Sequence, residues 1–163
     1  MQRITIPKEQ NIVKSFLKFT LVVIVCHVIT YYIAGFIGRY LLGSSEFYPP
    51  SPNAIGYLRD PQNATLLLWA LLANILRGLL FAIVLFPFRQ RLLEMGVWYG
   101  GLAITGIVFL MGYVAASGGM IEHFVYFKAA DYPIKFAAIT FVEVLIQTLL
   151  MGPMIMRLDR RYV

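Results

Sequence analysis

The chain has 163 residues, of which 60% are hydrophobic, 15% aromatic and 13% charged, whereas an ordinary soluble domain carries roughly 25% charged residues. Fourteen Lys and Arg and eight Asp and Glu are too few to cover the surface of a water-soluble domain of this length. With a mean hydropathy of +0.74, the composition excludes that class and points to the bilayer as solvent.

The formal charge is +6, a balance that suits either nucleic acid or an anionic lipid surface. The cations sit at the ends of apolar runs rather than along one polar face, so the lipid bilayer is the expected partner and nucleic acid is not. Cys26 is the single cysteine, which excludes an intramolecular disulfide and a cysteine-based metal site.

Four apolar runs follow in chain order, at 16–38, 64–88, 97–117 and 136–156. Each reaches the roughly 20 residues that a helix needs to cross ~30 Å of hydrocarbon. The expected fold is therefore all-α: a polytopic integral membrane protein, a four-transmembrane-helix bundle in a single membrane domain over 1–163, with external loops at 39–63 and 118–135. The first run is preceded by Arg3, Lys8 and Lys14. It is longer than the apolar region of a signal peptide, and no small-residue cleavage site follows it, so it reads as a retained helix.

Four spans place both termini on one side, which divides the charges into two sets. Arg3, Lys8, Lys14, Lys18, Arg89, Arg91, Arg157, Arg160 and Arg161 lie on the side of the termini; Arg39, Arg59, Lys128 and Lys135 lie opposite. The excess assigns both termini to the cytoplasm of a cell's inner or plasma membrane. The turn at 89–96 is short, which predicts antiparallel packing of the second and third spans. The loop at 39–63 holds Pro49, Pro50, Pro52 and Pro61 and is expected to form an extended cap over the outer end. In the loop at 118–135, Met120, Ile121, Phe124 and Phe127 recur at helical spacing, as in a short interfacial helix or a bent continuation of the third span.

Polar residues inside the spans carry the functional signal, because a charge in hydrocarbon costs at least about 2.5 to 3.5 kcal/mol. In the second span Asn74 and Arg77 are three apart and share a face; in the fourth, Thr140, Glu143 and Gln147 do the same. His27 lies near the middle of the first span. The six form an expected intramembrane polar cluster that either binds an ion or small solute, or passes a proton between His27 and Glu143, or else fixes helix packing, with Arg77 and Glu143 as a buried ion pair and Asn74 and Gln147 as hydrogen-bond partners. The third span is rich in small residues, and Gly96, Gly100, Gly101, Gly112 and Ala116 mark it as a packing centre or oligomer seam.

Enzyme chemistry finds no footing. There is no nucleophile and base with an orienting third group, and no phosphate-cradling loop after a strand. His27 and His123 differ in depth, and Glu122 and His123, being adjacent, point apart, so neither a bis-histidine haem nor a metal site is expected. No catalytic residue, metal or cofactor is predicted. The leading expectation is a small non-enzymatic multi-pass membrane protein that handles an ion, proton or small solute as an oligomer through the polar cluster. The alternative is an accessory or assembly subunit of a larger membrane complex in which the cluster is purely structural, and a sensor or lipid-binding role ranks third.

Overall fold

The computed structural model describes residues 9–56, 64–114 and 133–161. Among them there is no strand. Helix α1 spans Glu9–Tyr40, α2 Ala64–Leu85, α3 Arg89–Glu94, α4 Gly96–Phe109 and α5 Ile134–Asp159. Four helical stretches are long and apolar enough to cross a membrane: Ile12–Tyr40, Leu67–Glu94, Gly96–Val114 and Ile134–Asp159.

The second stretch is longer than the apolar run alone suggests. Pro87 lies in a 3-10 turn, Phe86–Phe88, that interrupts α2 without ending the helical path, and α3 carries it on to Glu94. The expected loop at 89–96 thereby shrinks to Met95 and the turn at Gly96, whose φ of +86° is the left-handed region that favours glycine. Arg160 then donates to the Leu93 carbonyl and ties the end of α5 to this turn. After α4 the helical path continues as a π-helix, Leu110–Val114. Ala116 and the segment 118–132, with its expected interfacial helix, lie outside the described residues.

Helix α1 packs on α2 and on α5, and α4 packs on α5. The second and third spans, expected to be close neighbours, have their main partners elsewhere and approach each other only locally, as where Gly112 faces the Phe81 ring. A short turn brings two helix ends together, but the glycine surfaces decide where the shafts pack. On α4 a Cβ at Gly101 would stand 2.7 Å from the Pro153 nitrogen of α5, and one at Gly152 would strike the Gly101 carbonyl. Here the backbones nearly touch, and Thr105 donates 2.7 Å to the Thr148 carbonyl across the crossing. On α2 a Cβ at Gly78 would meet the Ile24 backbone of α1 at 2.9 Å. The glycine-rich positions are thus occupied within the chain, between α4 and α5 and between α1 and α2.

Two apolar cores result. The larger joins Phe19, Val23, Cys26, Leu85, Ile104 and Met151, with residues from all five helices. The smaller lies at the other end, where Phe47 and Ile55 of the loop after α1 cover Phe136 and Ile139 at the start of α5. Lys135 and Glu46 close it with a 2.6 Å ion pair. The described part of this loop thus lies over the start of α5, and its 3-10 turn, Ser44–Phe47, precedes the prolines. Facing outward, Leu21, Leu68, Trp69, Trp98 and Tyr99 are all more than half exposed. Such an exposed apolar belt is compatible with a helix bundle that sits in lipid.

Candidate functional site

The buried polar groups meet at the α1, α2 and α5 contact. His27 of α1 is 2% exposed, Asn74 of α2 4% and Gln147 of α5 8%. The Gln147 Nε2 and His27 Nδ1 atoms are 3.2 Å apart; with the amide nitrogen as donor, the imidazole accepts at Nδ1 and carries its proton on Nε2. That Nε2 is buried without a hydrogen-bond partner. Phe81 stands edge-on to the ring at 5.2 Å between centroids, and Asn74 faces the same imidazole. Asn74 meanwhile donates 2.8 Å to the Ala70 carbonyl of its own helix. Thr140 donates to Phe136 in the same manner, so its hydroxyl is spent locally.

The charged members of the expected cluster do not hydrogen-bond into this group, although the Arg77 charge is felt at the His27 imidazole. Glu143 is half-buried in the groove between α5 and α1, with its carboxylate against Gly35 and Gly38. Those glycines provide the space; a side chain at Gly38 would occupy the carboxylate's place. Arg77 is exposed on α2, and among the described residues no ion pair joins it to Glu143. Depth explains why. Gly78, next to Arg77, packs on Ile24, whereas the Glu143 carboxylate lies beside Gly35 and Gly38, eleven or more residues further along α1. Moreover α1 packs between the two helices that carry them.

A buried ion pair forms instead at the base of the bundle, away from mid-span. Arg89, counted in the sequence as a topology charge, grips Asp159 through Nε at 2.7 Å and Nη2 at 2.9 Å. Its Nη1 donates 2.7 Å to Ser15 Oγ, and its plane lies 5.7 Å over Phe19. One guanidinium thereby joins α1, α3 and α5. A signal did exist: Asp159 stands in the last turn of its helix, where the backbone dipole disfavours an anion, so its presence there implies a dedicated cation.

No known protein family, no curated protein and no solved structure matches the chain. Among the described residues no group of three His, Cys, Asp or Glu side chains is placed to hold a metal ion.

Proposed function

We propose that the protein is a non-enzymatic integral membrane protein that acts as an accessory or assembly subunit of a larger membrane complex. The observation that carries this reading is Arg77, a cation exposed near the middle of a span and joined by no ion pair among the described residues. A charge so placed is costly in lipid, and a neighbouring subunit relieves that cost. The tight glycine crossings and the Arg89 anchor support a rigid body suited to assembly rather than one that opens. In this reading both termini face the cytoplasm.

Purification from native membranes in mild detergent tests it. The expected result is a specific second polypeptide at fixed stoichiometry through two orthogonal chromatographic steps. A monodisperse species containing this chain alone would overturn it.

A second reading has its own support in the line of polar groups from Glu143 through Gln147 to the unpartnered His27 Nε2. That line suits the handling of a proton or small cation. In proteoliposomes, proton flux lost on Glu143→Gln with insertion intact would favour it. Flux equal to that of protein-free vesicles in the native chain ends it.

A further inference from the structure

Along α2 the residues divide into two stripes. Asn74, Gly78, Ala82 and Leu85 are buried towards the bundle, while Leu76, Arg77, Leu80 and Ile83 are exposed. Arg77 is thus the one charge among exposed apolar neighbours on that face. It stands twelve residues before Arg89 and thirteen after Ala64, roughly 18 to 20 Å of helix from either end, too far for the side chain to snorkel to a headgroup.

A second copy of this chain does not supply the missing partner. A symmetric contact through this face sets Arg77 against Arg77. Among the described residues Glu46 pairs with Lys135, Glu94 with Arg91 and Asp159 with Arg89, which leaves Glu143 as the carboxylate inside a long apolar helix without an ion pair. The Glu143 carboxylate, beside Gly35 and Gly38, lies nearer the loop end than Arg77, whose neighbour Gly78 packs on Ile24. In a parallel copy that offset persists, and in an inverted copy it recurs on the other side of the midplane.

We infer that the α2 face around Arg77 docks a transmembrane helix of a different polypeptide that carries an Asp or Glu at the depth of Arg77. The inference rests on the assembly reading and adds the partner's chemistry. In a water-free contact a carboxylate takes two parallel N–H donors from one guanidinium, which fixes register and depth as well as charge. Leu76, Leu80 and Ile83 provide the apolar surround that excludes lipid and water from the pair.

The test places a photoactivatable amino acid at Leu80 of the full chain in its native membranes and identifies the crosslinked peptide by mass spectrometry. The expected adduct is with another polypeptide, through an apolar stretch of about 20 residues that contains Asp or Glu. Arg77→Leu should lower its yield at least about tenfold, Arg77→Lys should give an intermediate yield because an ammonium keeps the charge but not the two parallel donors, and an unchanged thermal midpoint shows that Arg77→Leu still folds. Exchanging the charges, Arg77→Asp against Arg at the partner's acid, should restore the adduct. Adducts only with a second copy or with lipid, a partner span lacking a carboxylate, or a yield indifferent to Arg77→Leu would each overturn the inference. A foreign adduct formed only from Trp98 or Leu149 sinks this inference and leaves the assembly reading standing; no foreign adduct from any face sinks both.

Discussion

At the residue scale, Arg89 and Asp159 hold the base of the bundle. Asp159 is almost fully buried and satisfies two guanidinium donors. Removing its charge leaves a largely buried cation, so Asp159→Asn should destabilise the protein by about 3 kcal/mol, the low end for breaking a buried pair. Thermal unfolding in detergent checks this, and a midpoint equal to that of the native chain would show the pair to be idle. His27 and Gln147 make a second local prediction. Replacing either alone strands the other's polar atoms in the core, whereas H27L and Q147L together remove both. The joint variant should therefore be more stable than the sum of the single costs. Arg77→Gln and Glu143→Gln, being far apart, should instead combine additively within about 0.5 kcal/mol. A significant coupling between these two would mean that they meet after all.

At the element scale the crossing of α4 on α5 depends on the absence of side chains. A Cβ at Gly152 has nowhere to go: Thr105 Oγ1 stands 2.7 Å from its place, with the Gly101 backbone beside it. Gly152→Ala should cost about 1 to 3 kcal/mol, as overpacked contacts do. Gly106, on the same helix as Gly101, meets nothing within 4 Å, so Gly106→Ala should be neutral or gain up to about 1 kcal/mol from helix propensity. The pair separates packing from composition, and equal midpoints for the two variants would refute the crossing. Small residues in the third span were legible as a packing surface, but which of them touch a neighbour was not. The pattern of four-residue spacing is shared by Gly96, a turn residue, and Gly100, whose absent side chain leaves room for Leu92 and Met156.

At the scale of the whole molecule the orientation in the membrane is open to a direct experiment. The native Cys26 is fully buried, so impermeant maleimides should give little background. Cysteines placed at Arg91 and Arg157, both exposed near the base, should label from the cytoplasmic side, and one at Asn53, in the exposed loop, from the opposite side. Labelling of Asn53 and Arg91 from the same side would refute the assigned topology.

Apolar run length was enough to determine the helical class and the number of long helices, because a stretch of about 20 apolar residues admits few structures once its backbone must bond to itself. The polar residues of the spans could also be named in advance, since each breaks an otherwise apolar pattern. What the linear chain does not contain is depth and azimuth across helices. Arg77 and Glu143 share compatible charges and neighbouring helix positions in sequence arithmetic, yet helix register, set by the packing of Gly78 on Ile24 and of Glu143 on Gly35 and Gly38, holds them apart. The same tertiary register brings Arg89 to Asp159 across 70 residues of sequence, because their meeting depends on where α3 and α5 end in space, which no local pattern encodes.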